Sequence, residues 1–309
     1  MKRCLGTFVG KERGPLIICF GAMHGNEPAG VNAIEAVLKL LDVEHIKNPG
    51  FSFKGKMVGL IGNLKAYNQG KRFINKDLNR QFLEPYIKEL MKKEINSLEG
   101  EEQELIQLID HIKQEIKIYN PEQLIILDLH TTSSMGGIFS ICQSNDRDVS
   151  LAKSLHAPVV LGMLEGLQGT TLHYFTHKNT GVDTVCLTFE SGQHDEVLSI
   201  NRAVAGILCC MRQIGSVQEC DVENHHEERL IAHTKNLPKI TTLIDRYHIE
   251  NNDTFKMLPG FKNFQEIRKG QTLAKSGEHD IKAKENGRIL MPLYQKQGED
   301  GFFVVKEII

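Results

Sequence analysis

The stretch FGAMHGNEPAG, residues 20–30, places His24 and Glu27 three residues apart in a loop of small residues, directly after a strongly apolar run. A turn needs glycine and asparagine but has no use for that histidine or that glutamate. A second histidine, His130, ends the run QLIILDLH. Two histidines and a glutamate make the ligand set of a catalytic zinc site, whose fourth position is left to water. Zinc held in this way brings the pKa of water down to about 7 and polarises a carbonyl. Asp128, two residues before His130 on the same strand face, is placed to support that histidine from behind. His-x-x-Glu alone is a weak signal, and the downstream DLHTTSSMGG strengthens it. The adjacent pair His225 and His226 lies in polar ENHHEER and reads as solvated surface.

Two further pieces suit chemistry beside such a metal. KRFINKDLNRQF carries Arg72, Asn79 and Arg80 in a stretch without periodicity. Arginine with asparagine is a natural fork for a carboxylate, because the planar guanidinium offers parallel donors. LTFESGQH ends another apolar run with Glu190. A carboxylate there takes a proton from water and passes it to a leaving nitrogen. Taken singly, Glu190 reads as a solvated strand-end acid; the four pieces together change that reading.

These residues need a frame. Up to about residue 217, LIICFGA, KMVGLIGNL, QLIILDLH, GIFSICQ, PVVLGM and TVCLTFES read as strands, several apolar throughout and so buried on both faces. Helical patterns lie between them. One begins at Pro28 and runs through VNAIEAVLKLL; a charged stretch covers residues 86–118 with a break near Gly100; another runs from DEVLSI to a stop at Gly215. Strands alternating with helices predict an α/β fold with a mixed, mostly parallel sheet flanked by helices. In such sheets ligands collect at the carboxyl ends of strands, where His24, Glu27 and His130 all fall. After residue 217 the texture changes. From about residue 237 the pieces are short, β-like and punctuated by glycine, which predicts a small all-β domain. The expected division is a catalytic α/β domain over 1–217, then a linker and a small β domain over 218–309 that caps the active site. That second part has the look of a biotinyl or lipoyl carrier, but the lysines of EHDIKAKENG lack the flanking signature of a carrier hairpin, so a structural or access-restricting role is expected instead.

At 309 residues, 40% hydrophobic and 25% charged, the chain has the make-up of an ordinary globular protein with ample core. A formal net charge of −2 gives no electrostatic reason to expect nucleic acid or a membrane surface as partner. MKRCLGTFVGKERG does not read as an export signal, and seven cysteines with no C-x-x-C pair suit a reducing compartment, so a cytoplasmic protein is expected.

GAMHGNEPAG, DLNRQF, DLHTTSSMGG and FESG, in this order, resemble the succinylglutamate desuccinylase/aspartoacylase family, relatives of the zinc carboxypeptidases. The resemblance runs over essentially the whole chain, and HTTSSMG is closer to the aspartoacylase side. It implies one zinc per chain on His24, Glu27 and His130, with Glu190 as general base and acid. It also implies Asn79 and Arg80 on a substrate carboxylate, and Arg72 polarising the scissile carbonyl. Family members that cleave N-acetylaspartate carry a further arginine shortly before the catalytic glutamate. Here no arginine occurs between Arg147 and Arg202, and the candidates in that region are Lys178, His173 and His177. The family's C-terminal tyrosine position falls on Phe302 and Phe303, with Tyr294 nearby. The expected activity is a zinc-dependent amidohydrolase, a deacylase, acting on an N-acyl amino acid or similar small carboxylate-bearing amide, with Lys178 as an added substrate contact. A metallocarboxypeptidase acting on peptides and a non-catalytic binding protein of the same fold are the rival readings. Assembly into a homo-oligomer is left open.

Overall fold

The computed structural model describes residues 2–250 and 254–308. The strands are β1 (Cys4–Val9), β2 (Glu12–Gly21), β3 (Lys54–Ile61), β4 (Gln123–Thr132), β5 (Phe139–Ile141), β6 (Val159–Leu161), β7 (Asp183–Gln193), β8 (Ile240–His248), β9 (Phe255–Met257), β10 (Glu266–Ile267), β11 (Thr272–Ser276), β12 (His279–Lys282), β13 (Gly287–Leu290) and β14 (Asp300–Glu307). The helices are α1 (Ala29–Lys47), α2 (Leu64–Gln69), α3 (Glu84–Leu90), α4 (Gly100–Tyr119), α5 (Asp146–Ser154), α6 (Met163–Gly166), α7 (Thr171–Tyr174), α8 (His177–Thr180), α9 (Val197–Gln213) and α10 (Glu227–Thr234). Eleven strands form one mixed sheet in the order β1-β3-β2-β4-β7-β5-β6-β8-β14-β13-β10, and β12-β11-β9 form a separate sheet. The centre, β3-β2-β4-β7, is parallel.

The apolar runs at that centre are buried on both faces because helices cover both. On β2, Leu16, Ile18 and Phe20 enter one core while Ile17 and Cys19 enter the other. On β4, Leu124 and Ile126 follow the first set, and Ile125, Leu127 and Leu129 the second. That period of two places Asp128 and His130 on one side of β4. The side reached by Ile17 and Ile125 packs on α1 and α9; the other packs on α4. Residues 86–118 divide into α3 and α4 around the short turn Ile95–Ser97, and Gly100 opens α4. α1 starts behind Pro28, and Gly215, at φ +74°, lies just beyond α9.

Four of the C-terminal strands, β8, β14, β13 and β10, belong to the same sheet as β2, β4 and β7. β8 pairs in parallel with β6, and β14 pairs antiparallel with β8, so the sheet runs on past residue 218. Alternation along β14 then splits its side chains: Phe302 and Val304 enter a small separate core with Leu273 and Ile289, whereas Phe303 and Val305 enter the main one. This continuity carries residues near 300 to the rim where β2, β4 and β7 end. Among the described residues no helix is long and apolar enough to cross a membrane.

Candidate active site

Three strand ends meet at the site. β2 ends at Gly21, and Ala22 turns the chain with φ +52°, so that His24 and Glu27 lie in the loop before α1. Gly25 is forced by close approach: a Cβ there would lie 2.2 Å from the backbone of Ala66 and 2.5 Å from the Lys71 carbonyl oxygen. The Gly25 N–H donates to the Arg72 carbonyl at 3.1 Å, which ties the His24 loop to the arginine loop. On the neighbouring strands His130 and Glu190 are register partners, so parallel pairing of β4 and β7 sets them side by side.

His24 Nδ1 lies 2.9 Å from Glu27 Oε1, and His130 Nδ1 lies 3.1 Å from Glu27 Oε2. One donor atom from each of the three falls within 4.8 Å of the others, and all three residues are buried. The far ring nitrogens each face a carboxylate. His24 Nε2 is 3.2 Å from Asp77 Oδ1, and His130 Nε2 is 3.2 Å from Asp128 Oδ1, the latter off hydrogen-bond geometry. Asp128 Oδ2 accepts from the Thr171 hydroxyl at 2.7 Å. Burial works against charge on Glu27, but His24 and His130 outweigh it and hold its carboxyl well below the usual range. The same balance holds Asp77 down through His24 and Arg72. For His130, Asp128 and Glu27 overcome burial and raise its pKa.

Glu190 is the opposite case. Burial pushes its carboxyl up to about 8; His130 opposes the rise and Glu27 adds to it. Its Oε2 has no protein partner although it is buried. Arg72 reaches Asp77 Oδ2 at 3.1 Å and Glu27 Oε1 at 3.5 Å. Together with His24, Glu27, Glu190, Arg80 and residues 131–133, it lines a cavity of about 70 Å³. The C-terminal segment closes that cavity with Met291, Leu293, Gln295, Glu299, Asp300 and Phe303.

Five of the eight residues expected from sequence therefore line one cavity, His130 stands behind it against Glu27, and two lie elsewhere. Asn79 is buried behind it: its Oδ1 accepts from the Thr171 N–H at 3.1 Å, and its backbone carbonyl accepts from Arg80 Nη1 at 2.9 Å. Lys178 is 73% exposed and its Nζ pairs with Glu84, away from the lining residues. Neither histidine of that region lines the cavity: His173 bonds within its own turn to Thr170 and to the Leu164 carbonyl, and His177 is exposed. Tyr294 is also outside, donating to the Leu258 carbonyl.

Several functional contacts had no counterpart in the sequence reading. Asp300 accepts from Arg80 Nη2 at 3.1 Å and from Arg246 Nε at 2.6 Å. Glu101, in the first turn of α4, accepts from the backbone N–H groups of Ile74, Asn75 and Lys76 and from Asn63 Nδ2, and so pins the arginine loop. His194 joins the Thr131 hydroxyl at 2.7 Å to Gln295 at 3.3 Å, and Gln295 also accepts from Asn26. Only Asp77, three residues before Arg80 in KDLNR, gave a local signal; the others act across long sequence separations.

A model of the succinylglutamate desuccinylase/aspartoacylase catalytic domain matches residues 13–214. Two proteins described as probable aspartoacylases are similar in sequence. That of Nostoc sp. is 31% identical over 126 residues, 41% of this chain and 38% of the relative; that of Prochlorococcus marinus is 32% identical over 170 residues, 53% and 48%. The match thus spans less than half the length of these relatives. The product-bound ectoine utilization protein EutE (DoeB) from Ruegeria pomeroyi superposes with a TM-score of 0.67 over 97% of this chain and 87% of its own, at 16% identity. A succinylglutamate desuccinylase/aspartoacylase from Rhodobacter sphaeroides gives 0.65 over 96% and 86%, at 17% identity. These structural likenesses speak to the fold, and the domain match covers well over half of the chain. The chain belongs to the succinylglutamate desuccinylase/aspartoacylase family.

Proposed function

We propose that this chain is a zinc-dependent amidohydrolase that removes the acyl group from a small N-acyl amino acid bearing a free carboxylate. The observation that carries the reading is the convergence of His24, Glu27 and His130 donor atoms within 4.8 Å, beside a buried Glu190 whose Oε2 has no protein partner. The donor set suits zinc, and the carboxylates behind each histidine are the partners that orient metal-binding imidazoles. When bound, zinc supplies Lewis acidity toward water and the scissile carbonyl. Glu190 takes the proton of the attacking water and returns it to the amide nitrogen as the C–N bond breaks. A carboxyl moved up toward neutrality suits both halves of that transfer.

Arg72 adds positive charge where the carbonyl oxygen becomes anionic. Arg80 binds the substrate carboxylate, with Asp300 and the Asn79 carbonyl holding its guanidinium in place. Asn79 acts through Arg80 rather than as a second prong. Residues 218–309 supply the cap, which the seven lining residues between 291 and 303 support. The segment 291–303 closes over the cavity and restricts access to it, which favours a small amide over a peptide.

A screen of N-acetyl and N-succinyl amino acids and N-acetyl peptides, read as free amine released, tests this. N-acyl amino acids with a neutral side chain should be cleaved. N-Acetylaspartate should be poorer by at least ~10-fold, about 1.4 kcal/mol, because Glu299 and Asp300 face any second carboxylate. Peptides as the preferred substrates, or no amine from any compound, would overturn the reading.

A further inference from the structure

A second cluster of metal donors lies away from that rim, where the end of α5, the middle of α9 and the start of α10 meet. His156 Nε2 lies 3.0 Å from Glu227 Oε1, and the same oxygen is 3.6 Å from Cys209 Sγ. One donor atom from each residue falls within 4.8 Å of the other two. Ligands at roughly 2.0–2.3 Å from a tetrahedral zinc stand roughly 3.3–3.7 Å apart, so separations of 3.0 and 3.6 Å need only small adjustment. Cys209 is buried, whereas the His156 side chain is 37% exposed, which leaves one side open to water as a fourth ligand.

Two neighbours hold the donor atoms in place. Asn224 Nδ2 donates to Cys209 Sγ at 3.4 Å. Arg212 holds the other oxygen of Glu227, which orients the carboxylate and offsets the negative charge that a thiolate adds. His156 stands just past the end of α5 at φ +52°, with its N–H on the Lys153 carbonyl. Glycine or asparagine is the usual choice in that left-handed position. A histidine there carries a conformational cost, and its ring is the group that reaches Glu227.

We propose that His156, Cys209 and Glu227 form a second metal site, for zinc or a similar thiolate-binding dication, that fastens α10 to α9 and α5. Binding forms a metal–sulfur bond and sends the Cys209 thiol proton to solvent, while Glu227 keeps its pairing with Arg212. Because binding releases a proton, uptake improves as pH rises. The inference is independent of the hydrolytic reading, since among the described residues the first cluster, His24, Glu27 and His130, includes no cysteine.

Cobalt(II) distinguishes the two sites, because only thiolate ligation gives an intense sulfur-to-cobalt charge-transfer absorption. Metal-free protein titrated with cobalt should develop that band, and His24→Ala should keep it. Cys209→Ser and His156→Asn should lose it, or need at least ~10-fold more cobalt, while still binding a first equivalent. Asparagine tolerates the left-handed backbone, so His156→Asn tests the ligand without burdening the fold. No band in wild-type protein at saturating cobalt, or a band unchanged in Cys209→Ser, would overturn the site.

Discussion

At the scale of the residue, the proposed chemistry turns on Glu190. Glutamine keeps its shape and removes only the proton acceptor, so Glu190→Gln should fold and retain metal yet lose at least ~10²-fold in kcat. Metal analysis and steady-state rates on the same preparation check this; a rate near that of wild type would assign the proton to another group. Arg80→Lys keeps charge but not the planar fork. Its loss in kcat/KM should be on the order of 1.5–3 kcal/mol, whereas Lys178→Met, well outside the cavity, should change little. Equal losses for both variants would contradict the placement of the carboxylate at Arg80. His24, Glu27, His130 and Glu190 were legible in the sequence because a strand end fixes where the next side chain points. Asp300 was not, because its meaning is its contact with Arg80, 220 residues away. Lys178 was a choice by proximity in sequence, and the short helix carrying it turns its side chain toward Glu84 instead.

At the scale of the element, the stretch from Arg72 to Arg80 has only the short 3-10 turn Leu78–Arg80 as regular structure, and α4 holds the rest from outside. Glu101 receives four hydrogen bonds there, three from loop backbone N–H groups. Burial disfavours its charge, but the donors outweigh burial and its pKa lies below the ordinary value. A depressed carboxylate contributes stability that is present above its unfolded pKa, about 4.3, and is lost as pH falls through the lower folded value. Glu101→Gln should therefore cost about 1.5–3 kcal/mol at neutral pH, with a smaller difference from wild type in acid. Denaturation followed across pH checks it, and a pH-independent difference would show that the charge is not what matters. The helical pattern over 86–118 announced α4 and the break at Gly100 but gave no hint of this task. Amphipathic period reports which face is buried, and Glu101 is buried at a helix end by a loop without a pattern of its own.

At the scale of the molecule, the alternation of strands and helices announced the α/β sheet, and the change of texture after residue 217 announced the C-terminal β structure. What the pattern did not contain was that β8 and β14 extend the same sheet. Strand pairing between β6 and β8 is a long-range choice, and short β pieces look alike whether they begin a new sheet or lengthen an old one. The consequence is functional. Because β14 is continuous with the sheet of β2, β4 and β7, Asp300 and Phe303 stand at a fixed place over the His24–Glu27–His130 cluster, and Gln295 joins that wall to Asn26 and His194. On the proposed function, cap and donor cluster work as one unit. The most direct measurement is amine release from an N-acetyl amino acid by chelator-stripped protein, before and after zinc is restored, with His24→Ala alongside. Stripped protein should be inactive, zinc should restore the wild type, and the variant should stay inactive. Hydrolysis that survives stripping, or that zinc restores equally in His24→Ala, would contradict a catalytic metal at this site.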